Sequence, residues 1–166
     1  MQDAIAEDEA GLAAAWLAAA RTPAVAEALE AIYALIADAI EARGPACWAS
    51  GRCCNFEAHG HRLYVTGLEA AYTVARLAPG APANGLSRAT LGEALARGGC
   101  PFQSVNLCGV HGIKPLGCRV YFCDRSAQQW QQDLSERTLG MVRALHERAG
   151  IAYRYGEWRG MLARFV

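Results

Sequence analysis

The sequence predicts a mostly α-helical, single small domain packed around an irregular, cysteine-rich metal-binding loop region. Three observations lead there. Apolar residues recur at helical spacing before and after the middle of the chain. All seven cysteines lie between Cys47 and Cys123. Glycine and proline interrupt the stretch between the later cysteines, at Gly109, Gly112, Pro115 and Gly117. With 166 residues, 53% of them hydrophobic, the chain can bury a core without cross-links, so the cysteines need another explanation.

Three parts follow in order and are expected to pack as one domain: an N-terminal helical segment over 1–44, a cysteine-cluster metal-binding region over 45–125, and a C-terminal helix and tail over 126–166. Ala4 to Ala20 reads as an alanine-rich helix whose bulky apolar groups are Leu12, Trp16 and Leu17. Thr22 suits an N-cap and Pro23 a first helical position. Val25, Leu29, Ile32, Tyr33, Ile36 and Ile40 then mark the second helix, which Gly44 and Pro45 stop just before Cys47. His61 to Thr66 alternates enough for a short strand. Thr66 and Glu69 form a capping-box pattern for the next helix. Pro79 to Gly85 reads as a loop, and Ser87 to Arg97 as a short helix ended by Gly98-Gly99. Cys100 to Cys123 is expected to lack regular structure. Asp124 or Ser126 caps the last helix, with Trp130, Leu134, Thr138, Met141 and Leu145 as its buried stripe and Gly150 as its end. The aromatic tail from Ile151 to Val166 is expected to pack back on the domain.

Charge and composition exclude some function classes. Sixteen basic residues balance sixteen acidic ones, which is not the footprint of a nucleic-acid binder. Asp3, Glu7, Asp8 and Glu9 precede the first basic residue, Arg21, against the pattern of a secretory signal. No apolar run is long enough to span a bilayer, so no membrane association is expected. The expected compartment is the cytoplasm, where thiols stay reduced, and an odd cysteine count fits a disulfide framework poorly.

The cysteines fall into two blocks, C-x5-C-C (Cys47, Cys53, Cys54) and C-x7-C-x9-C-x4-C (Cys100, Cys108, Cys118, Cys123). Thiolates are soft ligands that select zinc, iron–sulfur clusters or copper(I). One [4Fe–4S] cluster needs four of them, and tetrahedral zinc needs four per ion. The paired C-x2-C knuckles of common zinc sites are absent. All seven cysteines are therefore candidate ligands. Cys53 and Cys54 are adjacent, so their side chains do not easily meet at one atom. His59 and His61 would share a face on a strand and so could bind a metal, although such pairs are more often solvated. His111, between Cys108 and Cys118, could ligate or hydrogen-bond a sulfur. His146 is expected at the surface. Trp48, Tyr121 and Phe122 are expected to wall the centre from water.

Four ordered blocks carry a resemblance: C-W-A-S-G-R-C-C (Cys47–Cys54), C-P-F-Q (Cys100–Gln103), the single Cys108, and K-P-L-G-C-R-V-Y-F-C (Lys114–Cys123). Together they resemble the zinc- or iron-chelating cysteine-cluster family named for its CxxCxxCC pattern, over roughly residues 45–125. Ser50 stands where that family has its second cysteine, and Lys114 where it usually has arginine. The resemblance implies metal chelation by the shared cysteines, with Arg119 balancing thiolate charge. Some larger relatives add methyl transfer onto protein lysines. This chain is too short to carry an S-adenosylmethionine domain as well and lacks the Gly-rich strand–helix turn of a nucleotide site, so that activity is not expected here.

The expected function is a small iron–sulfur protein, with a [4Fe–4S] cluster for electron transfer or redox and iron sensing, serving a redox partner protein. The alternatives are a zinc-binding structural or interaction module, and an enzyme whose iron–sulfur cluster keeps an open site. No nucleophile with a base partner is legible, so no catalytic residue is named.

Overall fold

The computed structural model describes residues 2–77 and 85–166, with side chains from Asp8 onward. Helices α1 (Gln2–Arg21) and α2 (Pro23–Arg43) come first, followed by strand β1 (Tyr64–Thr66), α3 (Gly67–Ala75) and α4 (Arg88–Ala96). Strands β2 (Gln103–Ser104) and β3 (Leu107–Cys108) precede α5 (Leu116–Val120), α6 (Gln128–Arg148), β4 (Tyr155–Glu157) and α7 (Trp158–Leu162). This is the mostly helical single domain that the sequence predicts. The expected loop over Pro79–Gly85 lies outside the described residues except at Gly85.

The two ends of the chain meet around Trp16. Its indole is fully buried, and its Nε1–H donates to the Ala152 carbonyl at 2.8 Å. Gly67 opens α3 directly against the ring, where a Cβ would collide with the indole. Helix α1 can thus lie close on α3, while α2 packs on α6 and α5. The tail returns as expected: β4 pairs antiparallel with β1, Tyr64 opposite Glu157 and Thr66 opposite Tyr155. Trp158 then enters the core at 0% exposure.

Helix ends largely follow the sequence. Gly44 closes α2 in the left-handed region, at φ 61°, with its amide bonded to the Ile40 carbonyl. Thr66 and Glu69 complete a capping box on α3, and Ser87 caps α4. Thr22 precedes α2 in extended conformation, but its hydroxyl donates back to the Ala18 carbonyl instead of capping.

Four expectations are corrected. The strand is shorter than His61–Thr66, because His61 turns away to stack on Tyr121. The cysteine region is not wholly irregular: β2 and β3 form a hairpin, with Gln103 opposite Cys108, and α5 adds a turn and a half of helix. The buried stripe of α6 runs through Val142, leaving Met141 36% exposed. His146 is buried, not at the surface, because α6 turns that side toward Ile151 and Tyr153.

Glu69 is the buried hub of this fold. Its Oε2 accepts from the Thr66 amide and hydroxyl, and its Oε1 accepts from the Leu116 amide at 2.8 Å and the Tyr33 hydroxyl at 3.4 Å. One carboxyl thereby ties α3 to the start of α5 and to α2. Replacing it leaves buried amides without acceptors, each costing about 1–3 kcal/mol. Glu69→Ala is expected to lower stability by about 2–5 kcal/mol in urea denaturation; a loss under 1 kcal/mol would remove this role.

Burial holds the His146 imidazole below its ordinary value. The folded chain therefore resists the proton that the unfolded chain accepts at about pH 6.5. Stability contributed by neutral His146 is present above that value and declines as pH falls through the window beneath it. Melting curves at pH 7.5 and 5.5 should show a smaller difference for His146→Gln than for the wild-type chain. Equal differences in the two proteins would contradict the assignment.

Candidate metal centre

Local hydrogen bonds bring the cysteine blocks together. The Cys54 amide donates to the Gly51 carbonyl at 3.1 Å, forming a tight turn over Arg52–Cys54. The Cys100 amide then donates to the Cys54 carbonyl at 2.9 Å, stitching the second block to the first. Gly51 has φ 72°, and a Cβ there would stand 2.8 Å from Gln103 Nε2 and 3.1 Å from Asn106 Cα. Lack of a side chain lets the β2–β3 hairpin close on this turn and carry Cys108 inward. Helix α5 brings Cys118, held by the bond from the Leu116 amide to Glu69. The ends of the region meet where the Ala46 amide donates to Asp124 Oδ2 at 3.2 Å, beside Cys47 and Cys123.

The result is one cavity of about 560 Å³ lined by Cys47, Cys53, Cys54, Cys108, Cys118 and Cys123. Its far wall is the α2 face of Tyr33, Ile36, Ala37 and Ile40. Cys100 sits behind this lining at 4% exposure, and its Sγ accepts the Trp158 Nε1–H at 3.4 Å. The Cys53 and Cys54 sulfurs are 4.0 Å apart. Among the described residues, no three histidine, cysteine, aspartate or glutamate side chains are grouped closely enough to hold one metal ion.

The thiols nevertheless act on one another. Cys54 is buried, and proton sharing with Cys100, Cys108 and Cys53, reinforced by burial, pushes its thiol far up. The same sharing with Cys54 lowers Cys53 to about 6, Cys108 to about 7, and Cys100 as well. Burial pushes Cys118 up, and the neighbouring Cys100 and Cys108 add to it. The cation that faces this group is Lys114, whose charge favours thiolate at Cys53 and Cys108. Arg119 also lines the cavity but has other partners. Its Nε and Nη2 donate to the Lys114 and Gly112 carbonyls, and its guanidinium lies 4.0 Å from the Tyr33 ring centroid.

The remaining predicted groups divide. His111 lines the cavity, and Lys114 holds its imidazole below the ordinary value, with burial adding to this. Among the described residues it makes no hydrogen bond to sulfur. His59 and His61 do not act as a pair. His59 is exposed, whereas His61 stacks on Tyr121 at 4.7 Å and approaches the Cys53 carbonyl with Nε2 at 3.4 Å. Trp48 is not a buried wall. It lines the cavity at the rim, 65% exposed, while Tyr121 and Phe122 are partly covered. Ser50 also lines the cavity, its Oγ accepting from the Arg52 amide at 3.4 Å. Asp124 accepts from the Ser126 amide and caps the short turn Arg125–Ala127, whereas the last helix, α6, begins after Ala127 with no side-chain cap, so neither Asp124 nor Ser126 caps it as expected.

Sequence reading missed Trp158 and Glu69 as parts of this centre. Trp158 lies 58 positions from Cys100 and signals nothing locally. Glu69 announced its capping box, but its bond to Leu116, 47 positions away, exists only in the fold. Comparison with known proteins finds no matching family model, characterised protein or solved structure.

A lowered thiol is a reactive thiol at neutral pH. In metal-free protein, iodoacetamide is expected to label Cys53 first, with a rate half-maximal near pH 6, against about 8.5 for an ordinary cysteine. Cys100, buried under Trp158, should label last. Peptide mass spectrometry across a pH series reads both, and an ordinary pH profile at Cys53 would contradict the proton sharing.

Proposed function

We propose that this chain is a metal–thiolate protein that holds an iron–sulfur cluster and serves electron transfer or redox and iron sensing. The observation that carries the reading is the convergence of six thiols on one cavity, with the seventh, Cys100, tied by its amide to the carbonyl of Cys54 in that lining. Soft sulfur donors suit iron–sulfur or zinc chemistry and suit hard cations poorly. Thiols spread along a cavity of about 560 Å³, with no three among the described residues close enough to hold one ion, suit a cluster that spans several ångströms better than a single tetrahedral ion. The ordered cysteine blocks that resemble the CxxCxxCC family support the same reading.

Cys53, Cys54, Cys100, Cys108 and Cys118 form the inner set by their mutual influence, and four of them would suffice for a [4Fe–4S] cluster. Cys47 and Cys123 stand at the joined ends of the region and are the better candidates for spare thiols. When bound, a cluster supplies one-electron chemistry. The chain's own residues do the rest. Lys114 offsets negative charge, the Trp158 indole directs an N–H at the Cys100 sulfur, and the α2 face keeps one side apolar. Such N–H and charge contacts are what tune a thiolate-bound centre.

Anaerobic purification followed by a visible spectrum and analysis of iron, sulfide and zinc on one sample tests the proposal. Iron with matching sulfide is expected, lost on Cys54→Ala or Cys108→Ala and largely retained on Cys47→Ala. Stoichiometric zinc in a colourless sample would overturn the electron-transfer reading in favour of a structural or interaction module.

A further inference from the structure

Outside the thiol cavity lies a second groove, of about 400 Å³, which shares Tyr121, Phe122 and Cys123 with it as a common wall. The rest of its lining is Arg52, His59, Arg125, Gln128 and Gln131. No carboxylate is in that lining. The basic side chains come from three separate segments: the turn that carries Cys53 and Cys54, the turn before His61, and the turn that leads into α6.

Neighbouring acids do not neutralise them. Asp124, next to Arg125 in sequence, is engaged with the Ser126 amide and hydroxyl and the Ala46 amide. Ion pairs among the described residues belong to Arg76, Arg159 and Arg164, not to Arg52 or Arg125. Gln131 is occupied as well: its Oε1 accepts from the Phe122 amide at 2.8 Å and its Nε2 donates to the Phe122 carbonyl at 3.2 Å. That bidentate clasp holds the shared wall in place. Two guanidiniums gathered in one groove repel each other until an anion stands between them. The planar arginine fork matches the oxygens of phosphate and carboxylate, and the Gln128 amide adds a neutral donor.

We propose that this groove binds the oxyanion group, phosphate or carboxylate, of a small molecule beside the thiol cavity. The two adjoining spaces each fall within about 300–1,000 Å³, the range of small-molecule pockets. This site stands on its own geometry and does not need the metal reading.

Calorimetric titration with pyrophosphate and with citrate, at ionic strength held constant with potassium chloride, tests it. One-to-one saturable binding of at least one is expected, and the tighter of the two identifies the oxyanion class. Arg52→Gln with Arg125→Gln should weaken that binding at least about tenfold, the loss of one charge-assisted contact or more. Arg137→Gln with Arg148→Gln removes the same charge from exposed positions on α6 and should leave it unchanged. Absence of saturable binding overturns the proposal, as does equal weakening by both double variants, which marks a general charge effect. Metal content measured on each sample keeps the two readings apart. A sample that binds the anion but holds no metal after anaerobic purification sinks only the metal centre, and a metal-loaded sample that binds neither anion sinks only the groove.

Discussion

The structure depends on one buried carboxyl. Glu69 is 1% exposed, and an acid in that position is costly unless donors surround it. Burial raises it above its ordinary value, and the Thr66, Leu116 and Tyr33 donors pull against that rise. Its four acceptor contacts reach three different parts of the chain. Through Thr66 it starts α3, and through Leu116 it starts α5 and so sets Cys118. Through Tyr33 it fixes the ring on which Arg119 lies. The α2 and α5 walls of the cavity are thus both tied through this one carboxyl to the start of α3.

The division between the two neighbouring cations follows from this scaffold. Arg119 directs its donors to the carbonyls of Lys114 and Gly112 and so ties down the loop that leads into α5. Its planar fork suits two fixed carbonyls and an aromatic face better than lysine would. Lys114, a compact charge on a flexible stem, is left to face the thiols. Arg119 thus serves the frame, and Lys114 serves the electrostatics.

The cavity rim and the β2–β3 turn beside it combine exposed apolar groups with backbone strain. Trp48, Val105 and Leu107 are 65%, 88% and 67% exposed. Ala49 and Val105 hold φ of 48° and 55°, the only non-glycine residues in the left-handed region among those described. For β-branched Val105 that conformation is a genuine outlier. Strain of this kind persists where surrounding structure over-determines it, and it collects at functional sites. Here the hairpin that carries Cys108 turns within two residues, Val105 and Asn106, and Gly51 fixes its distance from the first cysteine block.

Helix identity was legible in sequence because it is local. Pro23, Gly44, the Thr66–Glu69 box and the spacing from Val25 to Ile40 act within a few residues, and the structure keeps each of them. The cysteine blocks were equally plain as candidate ligands. What the sequence could not determine depends on groups far apart in the chain. Burial of His146 is decided by the returning tail, and the indole bond to Cys100 by α7. Cys54 comes under the influence of Cys100 and Cys108 only because the Cys100 amide finds the Cys54 carbonyl. The grouping of Arg52, His59 and Arg125 has no sequence pattern at all. Sequence alone determined which residues can form helices and which can offer sulfur. Tertiary structure decided which of them meet, because long-range hydrogen bonds and burial, not local propensity, set those distances.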